Sequence, residues 1–283
     1  MNDILVFSHM MKTAGTSLSK QLIAYFGRKM HIVPGGLDLG QDDYGSQELE
    51  EDLRKLGYKV RLIAGHPLRP YVDYGQWESH MRWFTFFREP KSRYVSHYFH
   101  DYARSDGFSY ACHKNMRNDS IVEWENFAKA SNYQTKFIAG ENSYDKAVEI
   151  LETKFNWIGL TEDYDKSLRS FKSFFDLDGF SSDSKVANSG LSQRAVKARV
   201  FEKYGDFITE MNVTDTRLYD YIRKTIGPKL GASEMINEGI TRPQSKLKSN
   251  FNTLAFYVNR NLKFRPTELN LKNIRRFYSR WYR

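Results

Sequence analysis

The sequence predicts an α/β fold in which a mostly parallel sheet is flanked by helices. Three observations carry that expectation. Four short apolar runs (3–8, 60–64, 83–87 and 157–160) lack the hydrophobic–polar alternation of a half-exposed strand. Two of them stop abruptly at a polar dipeptide, Gly65-His66 and Arg88-Glu89. Segments of helical period separate the runs, and strands alternating with helices argue for parallel pairing.

The first strand, DILVFS at 3–8, is bounded by a polar, glycine-containing turn, HMMKTAGTS. Leu18, Leu22, Ile23 and Phe26 then recur at helical spacing, and the helix ends near Gly27. Residues 29–45 are rich in Gly, Asp and Pro and read as a loop. A polar helix follows, capped by Ser46, with acids in its first turn and Gly57 just past its end. Val60–Ala64 and Trp83–Phe87 are the next strands, and Pro90 suits the first turn of a helix continuing to Ala103. Helical patterns recur at 120–139, 143–154, 163–175 and 192–226, with one more strand, Trp157–Leu160, among them. Residues 1–230 read as one domain and 231–283 as a basic, aromatic C-terminal extension.

Composition excludes several classes. The chain has 283 residues, 40% hydrophobic and 15% aromatic, enough for a sizeable core. It is not the make-up of a disordered, collagen-like or disulfide-stapled protein. The single cysteine, Cys112, closes no intramolecular disulfide, which points to a reducing compartment. No run approaches the roughly 18 apolar residues of a membrane span. The first residues show no basic segment followed by an apolar one, so no signal peptide is expected.

The net charge is +9, from 43 Lys+Arg against 34 Asp+Glu, and it is unevenly placed. Residues 241–283 hold eleven basic residues and one acid, Glu268, which leaves residues 1–240 at −1. Residues 38–52 are the opposite extreme, with seven acids and no base. Asymmetry of this kind marks interaction surfaces or solvated appendages.

Ligands of open α/β sheets bind outside the carboxyl ends of the strands, and three strand ends here carry polar groups. After the first comes Lys12-Thr13-Ala14-Gly15-Thr16-Ser17, opening a helix. Such a turn aims backbone N–H groups and the helix dipole at an anion, while Lys12 adds a charge and Thr16 and Ser17 add hydroxyls. A lysine and glycine near a helix start also occur for purely structural reasons. The pattern is not that of a Walker A loop, because the lysine precedes the glycine. Arg88 ends the third strand and Ser96 lies eight residues on, so the two could clamp a second anionic group; alternatively Arg88 pairs with Glu89 or another acid. His66, at another strand end, is either structural or a base for an acceptor hydroxyl. None of these ends carries the aspartate that holds the metal in Mg-nucleotide enzymes, so a metal-free, cationic site is expected. The other histidines (His9, His31, His80, His97, His100 and His113) show no metal-ligand spacing.

At these residues the chain resembles a known family. HMMKTAGTSL is similar to the 5′-phosphosulfate-binding loop of sulfotransferases that use 3′-phosphoadenosine 5′-phosphosulfate (PAPS), in the branch containing heparan sulfate 2-O-sulfotransferase and bacterial relatives. FFREPKSRYVSHY resembles the same family's 3′-phosphate motif at Arg88, Glu89, Pro90, Arg93, Ser96 and Tyr98. Softer similarities follow in order at 132–140, 156–168 and 213–222. The resemblance implies a P-loop-like fold over about residues 3–226. It implies that Lys12 and the turn Thr13, Ala14, Gly15, Thr16, Ser17 hold the 5′-phosphosulfate of PAPS, and that Arg88 and Ser96 hold its 3′-phosphate. It places His66 as the acceptor base and Lys12 at the bridging oxygen of the leaving phosphate. Two positions depart from the family. Met11 replaces the usual proline before the lysine, and Ala64 stands where the 2-O-sulfotransferases have a histidine.

The expected reaction is metal-free, in-line transfer of a sulfuryl group from PAPS to a hydroxyl, with a carbohydrate or glycolipid as acceptor. Tyr71, Tyr74 and Trp77 either stack on a sugar or pack. The rivals are a nucleotide-dependent kinase and, more distantly, a basic nucleic-acid-binding protein; no nucleic-acid motif is present, and no nucleic acid partner is expected. The tail has two readings: basic helices at 250–262 and 269–282 packed on the body, or a contact with an anionic membrane or acidic glycan. The expected location is cytoplasmic, with the tail able to make a peripheral contact at the inner membrane face.

Overall fold

The computed structural model describes residues 3–35, 44–105, 121, 127–182 and 191–226. Five strands, β1 (Ile4–Ser8), β2 (Met30–Ile32), β3 (Leu62–Gly65), β4 (Met81–Phe87) and β5 (Phe155–Leu160), form one sheet in the order β2-β3-β1-β4-β5. Every pairing is parallel. The helices are α1 (Gly15–Phe26), α2 (Ser46–Lys55), α3 (Pro90–Ser105), α4 (Phe127–Ala130), α5 (Tyr133–Ala139), α6 (Tyr144–Lys154), α7 (Tyr164–Phe174), α8 (Leu191–Glu210) and α9 (Val213–Tyr221). The expected α/β class with a parallel sheet is what the chain adopts.

The absence of alternation in the apolar runs has a simple cause: the sheet is buried on both faces. Successive side chains of a strand point to opposite faces. Phe7, Leu62, Ala64, Phe84, Phe86 and Trp157 pack with Leu18 and Leu22 of α1 and Leu168 and Phe171 of α7. Their neighbours Ile4, Val6, Ile63 and Trp83 pack with Leu49 and Leu53 of α2. Phe87, Ile158 and Leu160 pack with Phe137 of α5, Leu151 of α6 and Leu218 of α9. A smaller cluster of Tyr94, Val95, Tyr98, Phe99, Val200 and Ile208 joins α3 to α8.

Several boundaries differ from the sequence reading, each for a local reason. The segment 29–45 contains β2, a three-residue edge strand that pairs with β3 through Met30 and Leu62. Its middle residue, His31, bonds Asp52 Oδ2 at 2.8 Å, and Tyr44 donates to the same oxygen at 3.0 Å, which fastens α2 over the edge. The N-cap of α2 is Gly45, not Ser46; the Gly45 N–H donates to Glu48 Oε2 at 3.0 Å. The helical stretch expected over 192–226 is broken at Met211-Asn212 into α8 and α9, and α9 runs into one wider turn at Ile222–Ile226. Of 120–139, the described part forms the two short helices α4 and α5. The extension 231–283, with its expected helices at 250–262 and 269–282, lies outside the described residues, as do Cys112 and His113.

The helices on one side are tied by buried polar groups. Asp215, at the start of α9, is 1% exposed and accepts from Gln134 N (3.0 Å), Thr135 N (2.7 Å) and Thr135 Oγ1 (2.8 Å). It thereby caps α5 from a distance in sequence. Asn132 Oδ1 returns the favour by accepting Asp215 N at 3.0 Å, and Asn212 Oδ1 accepts Asn132 N at 3.2 Å. Two helix starts therefore satisfy each other's free amides. Replacing Asp215 by Ala leaves these donors buried and unpaired, so Asp215→Ala should lose about 3 kcal/mol of stability. Chemical denaturation checks this; a loss under about 1 kcal/mol contradicts the capping role.

Candidate active site

The central strands β3, β1 and β4 are neighbours, so the segments after them meet at one edge of the sheet. The exit of β1 is held from both sides. Thr85 Oγ1 of β4 donates to Ser8 O at 2.6 Å, Ser8 Oγ donates to Leu68 O at 2.9 Å, and His9 N donates to Gly65 O at 3.2 Å. The chain then bends through Lys12 (φ 67°) and Ala14 (φ 64°), two non-glycine residues in the left-handed region. That conformation costs about 1–2 kcal/mol per residue. It is held by Thr13 Oγ1 donating to Met10 O at 3.0 Å and by Arg88 Nη1 donating to Lys12 O at 3.1 Å.

The turn leaves the start of α1 open. Ala14 is its N-cap, with no side-chain cap and no acid in the first turn. Ala14 O takes the amides of Ser17 and Leu18, and the amides of Gly15 and Thr16 enter no hydrogen bond among the described residues. Thr16 is exposed, and Lys12 and Ser17 are half-buried beside it. This is the geometry of an anion site at a helix terminus. Thr13 serves it differently from Thr16 and Ser17, since its hydroxyl proton is committed to Met10 O. The start of α3 offers a contrast. Glu89 accepts Lys91 N at 3.0 Å and Ser92 N at 2.7 Å, so that terminus already holds a carboxylate.

Arg88 is clamped at its backbone. Gln134 of α5 accepts from Arg88 N and donates to Arg88 O, each at 2.9 Å, continuing the ladder of β4 with a side chain. Burial pushes the Arg88 guanidinium down from its usual range, and Glu162 and Glu89 oppose that shift; an arginine so placed stays charged. Glu162, just past β5, has both carboxylate oxygens engaged, one by Glu89 N at 2.9 Å and one by Tyr219 OH at 2.7 Å. Lys197 of α8 lies close enough for its charge to meet that of Arg88, and its ammonium is pushed down by burial first and by Arg88 second. Ser96, half-buried, sits six residues after Pro90 on α3, about 9 Å along the helix axis. Arg93, another residue of the same motif, is fully buried. It donates to Ala130 O, stands 4.8 Å over the Tyr133 ring, and meets His97 Nδ1 at 3.4 Å.

His66 follows β3. Its Nδ1 lies 2.6 Å from His9 O, and a carbonyl only accepts, so Nδ1 carries the proton and Nε2 keeps its lone pair. Burial brings its pKa down from 6.5 to about 4; the bond to His9 O works against this, while Arg69 and His100 add to it. His9 is likewise lowered by burial, then by His66 and by Lys12. His66 is therefore a neutral imidazole with a defined tautomer at physiological pH. Arg69 is fully buried, its guanidinium 4.3 Å over the Phe137 ring.

The structure thus brings Lys12, the turn to Ser17, Arg88 and His66 together beyond the carboxyl ends of β1, β3 and β4. Sequence reasoning gave no role to His9, Lys197, Gln134 or Asp215, although the last two lie in the family-like segments 132–140 and 213–222. Tyr74 and Trp77 are buried in the core, Tyr74 tilted against Trp83 at 5.4 Å, so neither is a sugar platform. Tyr71 packs against Gly140. Among the described residues no group of three His, Cys, Asp or Glu is placed to hold a metal ion, and no helix is long and apolar enough to cross a membrane.

Two tests follow from this geometry. Between pH 6.5 and about 4 the unfolded chain protonates His66 and the folded one does not. The unfolded state then binds more protons, so stability falls as pH drops through that window, by about 3 kcal/mol from this group. Thermal unfolding from pH 7 to 4.5 should show His66→Gln losing less stability than the native chain; equal losses contradict the assignment. Gln134→Ala should free the Arg88 backbone and weaken anion binding at least threefold while leaving the His66 tautomer unchanged. Calorimetry with adenosine 3′,5′-bisphosphate (PAP) and imidazole NMR read the two effects separately.

The chain matches no protein-family model and no curated protein. Among solved structures it is similar to a sulfotransferase from Alicyclobacillus acidocaldarius, with a TM-score of 0.44 and 14% identity over 83% of this chain and 99% of that one.

Proposed function

We infer that the chain moves a sulfuryl group from PAPS to a hydroxyl by in-line transfer without a metal, with His66 as base. The observation that supports this reading is the contact between Arg88 and the carbonyl of Lys12, 3.1 Å long. It joins two anion-binding segments that are 76 residues apart in sequence, as a ligand with phosphates at both ends requires. The donor set fits such a ligand: unpaired amides at the start of α1, an ammonium, two hydroxyls and a half-buried guanidinium. PAPS supplies an activated sulfuryl group on a phosphate that leaves readily.

The rest of the chemistry falls to positioning and charge. Lys12 and the amides of Gly15 and Thr16 hold the phosphosulfate end and stabilise charge on the leaving oxygen. Arg88 and Ser96, with Lys197 close to Arg88, hold the 3′-phosphate. His66 Nε2 accepts the proton of the acceptor hydroxyl while Nδ1 stays bonded to His9 O. The acceptor we propose is a carbohydrate or glycolipid hydroxyl. The basic tail is proposed to hold the protein at an anionic surface, the inner membrane face or an acidic glycan, consistent with a cytoplasmic enzyme.

Radiolabelled transfer from PAPS into a panel of glycans, glycolipids and phenols tests the reaction. His66→Ala should lower kcat by about 10²–10⁴-fold with PAP affinity within about threefold. Arg88→Ala should instead weaken PAP binding by tenfold or more, as expected for a lost charge-assisted contact. Near-native turnover in His66→Ala would remove the base assignment, and dependence on Mg-ATP in place of PAPS would favour a kinase. The full-length chain should also co-sediment with phosphatidylglycerol vesicles more strongly than a variant with Arg275, Arg276 and Arg280 changed to Gln. Equal partitioning sinks the membrane contact.

A further inference from the structure

Four rings stand in one column that runs from the core to the edge of the sheet. Phe84 of β4 stacks on Phe7 of β1 with centroids 5.1 Å apart and planes 9° from parallel. Phe7 stacks on His9 at 5.1 Å and 14°, and His9 stacks on His66 at 4.2 Å and 25°. Phe7 and Phe84 are fully buried and are Cα partners in the β1–β4 ladder, so the sheet itself fixes the first two rings. The last ring is the one read as base.

Space for the third ring is set aside by Gly15. A Cβ at Gly15 would stand 1.6 Å from His9 Nε2 and 2.1 Å from His9 Cδ2. Gly15 lies within the first turn of α1, and a positive φ is not what requires glycine there. The requirement comes from the imidazole seated against it. His9 Nε2 accordingly faces the start of α1.

A ring held by one hydrogen bond alone can leave that bond by rotating about its side-chain torsions. The bond from His66 Nδ1 to His9 O fixes one atom of the base, and the flat face of His9 fixes the plane of the ring. With both in place Nε2 has a single position. We propose that His9 is a positioning residue for His66, its ring, seated over Gly15, holding the base on the His9 carbonyl so that Nε2 meets the acceptor hydroxyl. This role rests on the reading of His66 as base.

The test uses the full-length chain and three variants. His9→Leu keeps bulk and carbonyl but removes the ring face, His9→Phe keeps a ring face, and Gly15→Ala pushes the imidazole out. Nitrogen-15 NMR of the imidazoles reads the His66 tautomer, and turnover and PAP affinity are measured alongside. In His9→Leu the Nδ1–H signature of His66 should give way to a mixture, and kcat should fall about 10–100-fold with PAP affinity within about threefold. His9→Phe should restore the tautomer and most of the turnover. Gly15→Ala should show the same tautomer loss as His9→Leu and keeps the test decisive if that variant fails to fold. A native His66 tautomer in both His9→Leu and Gly15→Ala overturns the proposal. Should the native chain transfer no sulfuryl group at all, the functional reading fails on its own, and the NMR still decides whether His9 positions His66.

Discussion

The loop leaving β1 turns its carbonyls into the protein, and the site depends on that one constraint. Ser8 O accepts from Thr85, His9 O from His66, Met10 O from Thr13 and Lys12 O from Arg88. A planar trans peptide points its N–H opposite to its C=O. Carbonyls bonded inward therefore aim the following amides outward. The same bonds hold Lys12 and Ala14 in the left-handed region without glycine, so the strain of the turn is offset by the contacts that orient it. Three of the four donors are side chains named by the site's own chemistry or its immediate loop, which makes the loop's shape and the placement of Arg88 and His66 a single property.

Charge then distinguishes this terminus from its neighbour. The helix α3 begins on Glu89, whose carboxylate occupies two of its first amides, while α1 begins on Ala14 with no acid nearby. Cations gather around the open terminus: Lys12, Arg88 and Lys197 half-buried, Arg69 fully buried behind His66. Burial lowers Arg88, Lys197 and both histidines, and neighbouring basic groups add to the shift of Lys197 and of the histidines. Under the proposed reading, a multiply charged anion bound there would relieve that repulsion and stabilise the fold by mass action. The net charge of +9 has a different origin, in the residues beyond 240.

Sequence showed what is local and hid what is distant. Strands β1, β3, β4 and β5 were legible because a doubly covered sheet writes itself as unbroken apolar runs. The edge strand β2 was not, since three residues beside a Gly- and Pro-rich stretch carry no such run. Lys12, Gly15, Arg88 and His66 could be singled out because each sits next to a strand end or helix start that local pattern locates. Gln134 bonds Arg88 across 46 residues and Asp215 caps α5 across about 80, and no spacing announces either. Gly15 was legible as a residue but not in its reason, which is the imidazole of His9 packed where its Cβ would be.

Under the proposed reaction His66 is a base with a pKa near 4, always available but weak, and the arrangement around it bears on that weakness. Its pKa is lowered first by burial and then by Arg69 and His100, with Lys12 acting on the adjacent His9. Burial, the largest cause, stays in place, while an anion held by Lys12 and the start of α1 would offset the surrounding positive field. His66 would then gain proton affinity in the loaded site and lose it again in the empty one. Under the proposed reaction, the base strengthens when the donor is in place. The neutral state enforced in the free protein also keeps His66 from adding one more cation to a site already crowded with them. The tautomer is unaffected by either condition, since it is set by the carbonyl of His9 and not by charge.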